Sequence, residues 1–244
     1  GGQVALQTVA FALLDKDSHA VVFTPSYQSC QECPLHAGAA VTKVRLTREN
    51  NWDIDLTALT EACRAETKLI LLNQPWNPAG TLISRETLDA IVDIARRHNA
   101  WILSDEIYRF LEHDAATRLP AIADLYEKGV SIGALSKPFG AGGASLGWIA
   151  CRDAAARQRF KDAMYYGTAC VARASELQGI MVLRARDALL ERDLGPIHLR
   201  HPPPAPRVGG PVEVPGVVAE HEGAVILVLH RGPRGAAEDR PRAP

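Results

Sequence analysis

The chain has 244 residues, 47% of them hydrophobic and 23% charged, enough to bury a substantial core in one or two domains. A formal net charge of −1 with interspersed signs gathers neither nucleic acid nor an anionic membrane surface, which leaves small molecules as the expected ligands. Five cysteines without a paired framework, no signal-peptide pattern and no apolar run of bilayer length point to a reducing, cytoplasmic setting.

Gly1-Gly2-Gln3 leads directly into Val4, Leu6, Val9 and Leu13, a spacing that predicts a helix over residues 3–14. Neither an initiator methionine nor a strand precedes it, so an upstream segment is expected to be missing. A strand is predicted at 20–24, running into Thr24-Pro25-Ser26-Tyr27. Cys30 and Cys33 then form a CxxC, a spacing used in zinc and redox sites. Cys63, Cys151 and Cys170 are scattered singly and complete no second pair, so the two read as neighbours on a helical turn and no metal is expected.

A second strand at 42–46, a helix at 56–65 and a third strand at 68–72 follow, the last leading into Asn73-Gln74-Pro75-Trp76-Asn77-Pro78-Ala79-Gly80. Ser84 is placed to cap a helix whose Leu88, Ile91, Val92 and Ala95 recur at helical spacing before Arg96, Arg97 and His98. Strands at 100–103, 130–135 and 146–150 and helices at 154–166 and 176–191 complete the series. This alternation predicts an α/β fold over residues 1–195, with a mostly parallel central sheet flanked by helices. Ten of the sixteen prolines fall in 196–244, which contains arginine but no lysine. Only 224–230 has the composition of a strand there. The stretch is expected to be a disordered tail, with a shifted reading frame as one account of its composition; an intact frame on resequencing, with peptides from the tail, would overturn the frameshift version.

Asn77, Asp105 and Lys137 each follow a predicted strand, 28 and then 32 residues apart, close to the roughly thirty-residue size of a βαβ unit. In parallel sheets, residues beyond the carboxyl ends of strands converge on one crevice. An amide, a carboxylate and an amine delivered there suit a charged aromatic cofactor better than a hydrolytic triad. A lysine forms a Schiff base with a carbonyl, and a carboxylate keeps a pyridine nitrogen protonated. Blander readings stay open for each residue taken singly: a surface lysine, Asp105 as a helix cap, Asn77 as a turn residue before Pro78, and Tyr27 and Tyr108 as packing aromatics.

Taken together, Asn73-Gln-Pro-Trp-Asn77-Pro-Ala-Gly80, Ser104-Asp105-Glu-Ile-Tyr108 and Leu135-Ser136-Lys137-Pro-Phe-Gly resemble, in order and spacing, the signature of class I/II aminotransferases of the aspartate-aminotransferase fold. The resemblance covers about residues 1–195 and implies pyridoxal 5′-phosphate (PLP) as cofactor. It implies that Lys137 carries PLP as a Schiff base, that Asp105 pairs with the pyridinium nitrogen, and that Asn77 and Tyr108 bond its phenolic oxygen. Tyr27 matches the residue that stacks on the ring, and Gly2 and Gln3 match the helix start that receives the phosphate. The sequence departs where the family places a phosphate-binding arginine eight residues after the lysine, since Ser145 stands there. Ala134 replaces a hydroxyl residue three before the lysine, with Ser136 adjacent to substitute for it, and Ala79 replaces the usual threonine.

The implied reaction moves an amino group between an amino acid and a 2-oxo acid, and the implied assembly of the intact protein is a homodimer. The family's small domain is expected to be largely missing, and the fragment to be incomplete by itself. Alternatives are a PLP-dependent lyase, decarboxylase or oxidase acting on an amino acid, or the PLP-binding effector domain of a transcription regulator.

Overall fold

Side chains in the central strands alternate between two apolar layers, and this alternation builds the molecule. The computed structural model describes residues 1–200. Its strands are β1 (His19–Thr24), β2 (Ala40–Arg45), β3 (Thr67–Asn73), β4 (Trp101–Asp105), β5 (Gly129–Ala134) and β6 (Gly147–Cys151). They form one sheet in the order β2-β1-β3-β4-β5-β6, parallel throughout except that β6 runs antiparallel to β5. Every strand lies within two residues of its expected position.

On one face Ala20, Val22, Leu69, Leu71, Leu103 and Ile132 pack against α1 (Gly2–Leu13), α2 (Gln28–His36) and α6 (Ala154–Thr168). On the other, Val21, Phe23, Ile70, Leu72 and Ile102 meet α3 (Leu56–Ala62), α4 (Arg85–Arg97) and α5 (Ile122–Leu125). The alternation Leu69/Ile70/Leu71/Leu72 leaves no polar face, as expected of a strand covered on both sides. In α4, Leu88, Ile91, Val92, Ile94 and Ala95 are buried, and Ser84 caps the helix by accepting from Thr87 N–H. Each of its large aliphatic side chains contributes roughly 1.5–3 kcal/mol by leaving water.

A third cluster joins Leu135, Phe139, Ala144 and Leu146 to α7 (Arg173–Arg184) and α8 (Arg186–Arg200). The helix expected at 176–191 is thus two helices, broken at Ala185. Helical backbone extends to Arg200, past the expected boundary at 195, and the strand composition at 224–230 lies outside the described residues. Neither α2 nor α5 was expected as a full element. Cys30 and Cys33 both lie on α2, buried and one turn apart. Among the described residues no helix is long and apolar enough to cross a membrane.

β1 lies between β2 and β3, so successive connections leave it on opposite sides. This is the kind of switch point at which open α/β sheets form a ligand crevice beyond their carboxyl ends.

Candidate active site

The crevice is built from strand ends. Asp105 closes β4 beside Asn73, which closes β3, the two being register partners. Asn73 is buried and ties the two strand ends together: its amide donates to the Asp105 carbonyl at 3.1 Å, while its side-chain oxygen accepts the Asn77 N–H at 2.8 Å. The turn that carries Asn77 is thereby hung from the strand next to Asp105. Asn77 Nδ2 donates to the Tyr108 hydroxyl at 3.5 Å, and Lys137 Nζ lies 5.8 Å from the centre of the Tyr108 ring. The amide, the phenol and the amine therefore share one locality, with Lys137 exposed and the other two half-buried.

Asp105 is only 3% exposed. Burial, the largest influence, pushes its pKa up to about 6, against hydrogen bonds from Ile107 N–H to Oδ1 at 3.2 Å and from the Cys30 thiol to Oδ2 at 3.7 Å. Among the described residues it has no ion-pair partner. The bond to Ile107 makes a turn rather than capping a helix, since no helix begins there. A buried carboxylate with one amide and one weak thiol donor is short of positive charge.

The start of α1 faces this region. Gly2 is buried, and a Cβ on it would come within 2.5 Å of Ile107 Cδ1, so the helix start fits closely against the turn after Asp105. No side chain caps α1. Ser145, exposed and in the left-handed region at φ 50°, lies beside it, its carbonyl accepting from the Gly1 amine at 2.7 Å. Ser136 is half-buried at the end of β5, and a Cβ on Gly142 would lie 3.9 Å from its own Cβ. Gln3 has a function the sequence did not suggest: its side-chain oxygen accepts from the Tyr27 hydroxyl at 3.2 Å and from Ser29 Oγ at 2.6 Å. Tyr27, 45% exposed at the N-cap of α2, is thus tethered to the start of α1.

Sequence reasoning missed the supports. Glu106, next to Asp105, is buried and accepts from Ile122 N–H at 2.9 Å and Ser131 Oγ at 2.7 Å, with Arg109 at 3.7 Å. Burial raises its pKa most, and Arg109 opposes that rise. Glu112 accepts from Phe110 N–H and from Arg118 Nε, both at 2.9 Å. Together they pin the loop that carries Tyr108. A cavity of about 20 Å³ lined by Gln74, Ser104, Glu106, Arg109 and Glu112 lies among these supports; none of the predicted site residues lines it.

The model of the family "Aminotransferase class I and II" matches residues 1–178. The chain belongs to the class I and II aminotransferases. Kynurenine–oxoglutarate transaminase 1 of Mus musculus is 27% identical to this aminotransferase chain over 161 residues, covering 61% of the chain and 38% of that protein. The arginine–pyruvate transaminase of Pseudomonas aeruginosa is 29% identical over 153 residues, with the same coverage. Aspartate aminotransferase of Pyrococcus horikoshii is 29% identical over 177 residues, covering 72% of the chain and 45% of that protein. A PLP-dependent aminotransferase from Streptococcus suis superposes with a TM-score of 0.74 at 31% identity, covering 79% of this chain and 50% of that one. The chain thus spans less than half the length of these curated relatives, and the match gives it the fold of the aspartate-aminotransferase-like enzymes.

Proposed function

We propose that the protein to which this chain belongs is a PLP-dependent aminotransferase, moving an amino group between an amino acid and a 2-oxo acid. The observation that carries the reading is Asp105, a buried carboxylate with no ion-pair partner among the described residues, at the strand end next to Asn77 and Tyr108. A protonated ring nitrogen is the partner such a carboxylate lacks. The N-terminus of α1, which no side chain caps, with Gly2 closed against Ile107 and Ser145 beside Gly1, has the donor character a phosphate needs. These residues fit the cofactor. When bound, PLP supplies an electron sink for the bond broken at the substrate Cα.

The chain's own residues have distinct tasks in this reading. Lys137 supplies the amine that anchors the cofactor and, once free, the base that takes the proton from the substrate Cα. Asp105 holds positive charge at the ring nitrogen. Asn77 and Tyr108, already joined, present an amide and a phenol to the cofactor's ring oxygen. Tyr27, held by Gln3, is the aromatic ring that would stack on the cofactor. Ser145 offers the phosphate a hydroxyl where the family places a cation.

The transaminase relatives support transfer over other chemistry on amino acids. The reading extends to a homodimer, supported by exposed Tyr165, Tyr166 and Met181 on α6 and α7, and to a cytoplasmic location, supported by five free cysteines. The test is incubation of the intact protein with PLP and a panel of amino acids and 2-oxo acids. New amino-acid and oxo-acid pairs in equal amounts are expected, and should vanish in Lys137→Ala. Release of carbon dioxide or ammonia without a paired product would overturn the assignment.

A further inference from the structure

We propose that Cys30 is a positioning residue for Asp105, its thiol donating to Oδ2 so that the carboxylate is held facing the crevice. The inference rests on the reading of Asp105 as the partner of a cationic ring nitrogen, and deepens it. Cys30 is the third residue of α2, 2% exposed, with Sγ 3.7 Å from Oδ2. The other oxygen, Oδ1, is fixed by Ile107 N–H at 3.2 Å. With one donor on each oxygen, rotation about the carboxylate's own bond breaks both. The same helix has Tyr27 as its N-cap, so α2 carries both the thiol and the aromatic side chain that Gln3 holds.

A thiol is suited to the task because it is a weak donor. An arginine or lysine at this position would neutralise the charge a cationic ligand needs, and an apolar side chain would leave Oδ2 unbound. Burial first, and then Asp105 itself, raise the pKa of Cys30 well above the usual thiol range, so the thiol keeps its proton and remains a donor. Among the described residues no charged side chain forms an ion pair with Asp105, and neither Lys137 nor Tyr108 of the crevice is among the groups that shift its titration. Neither α1 nor β5 contains an ionisable residue, and β3 ends in Asn73 with Lys68 at its far end. On α2, Glu32 pairs with Lys43 and His36 bonds the Glu32 carbonyl. Cys33 faces the same layer one turn away, and Glu106 pairs with Arg109.

The experiment is a carboxyl carbon NMR titration of Asp105 in the full chain without cofactor, the resonance being assigned by its loss in Asp105→Asn. Cys30→Ala should raise the midpoint by about half a pH unit or more, because the charged form loses a donor. Cys30→Val, which fills the space without a donor, should do the same. Cys33→Ala, a change at a buried thiol one turn away that lacks this contact, should leave the midpoint where it is. An unmoved midpoint in both Cys30 variants, or an equal rise in Cys33→Ala, overturns the proposal. The titration needs no cofactor, so failure of wild-type chain to take up PLP would strike the functional reading and leave this result to stand or fall separately.

Discussion

Asp105→Asn removes a charge that the fold holds at a cost, and its effect on stability has a worked sign and size. The folded carboxyl titrates at about 6, against 3.8 for an unhindered aspartate, with burial as the main cause. Between those values the folded chain keeps a proton that the unfolded chain has released, so this group's contribution to stability falls as pH rises through that window. Linkage at about 1.36 kcal/mol per unit puts the full loss at roughly 3 kcal/mol above pH 6, as an upper bound. Asparagine can still accept from Ile107 N–H and carries no charge. The cofactor-free variant should therefore match the wild type near about pH 4 and exceed it by about 2–3 kcal/mol near pH 7.5. Urea unfolding of both proteins across that range measures the difference directly, since other titrations are common to both. Saturating PLP should stabilise the wild type and act much less on the variant, because the variant lacks the counter-charge. A stability difference independent of pH, or a variant less stable than wild type near pH 7.5, would refute the account of Asp105.

Three further outcomes follow from the packing around the site. Gly129→Ala would place a Cβ 2.2 Å from the Ile122 carbonyl oxygen, a backbone atom, and should cost about 3 kcal/mol or more in urea unfolding. Glu106→Ala strands Ile122 N–H and the Ser131 hydroxyl and should cost about 2–4 kcal/mol, with Glu106→Gln retaining part of that by keeping an acceptor. His19 is buried between the Thr67 and Thr42 hydroxyls at 2.8 and 2.9 Å, and burial lowers its pKa. Its contribution is present above the unfolded value of 6.5 and is lost as pH falls toward the folded value, so thermal melts should show acid destabilisation below about pH 6.5 that is smaller in His19→Asn.

The fold was legible where residues answer to their nearest neighbours in sequence. Buried parallel strands such as β1 and β3 are short apolar runs bounded by polar residues, and α4 states both its cap and its stripe. Where local pattern is weak, the reading missed. α2 contains Pro34 and alternates polar residues with cysteines, α5 has four residues, and the break at Ala185 has no Gly or Pro to signal it. The same division runs through the site. Asn77, Asp105 and Lys137 could be found because strand ends mark them, and Tyr108 through the motif it shares with Asp105. Asn73, Cys30 and Glu106 act through contacts across 32, 75 and 25 residues of chain, which no spacing rule reveals. Gln3 was read through its backbone, whereas its side chain does the visible work of holding Tyr27. Asn73 is the first residue of its motif, but nothing in the sequence marks its contact with the Asp105 carbonyl.

The most direct test of the central claim is borohydride reduction of the PLP-treated chain followed by peptide mapping. The account predicts a single stable label on Lys137, accompanied before reduction by the absorbance of an imine. Label spread over several surface lysines, or none on Lys137, would contradict it.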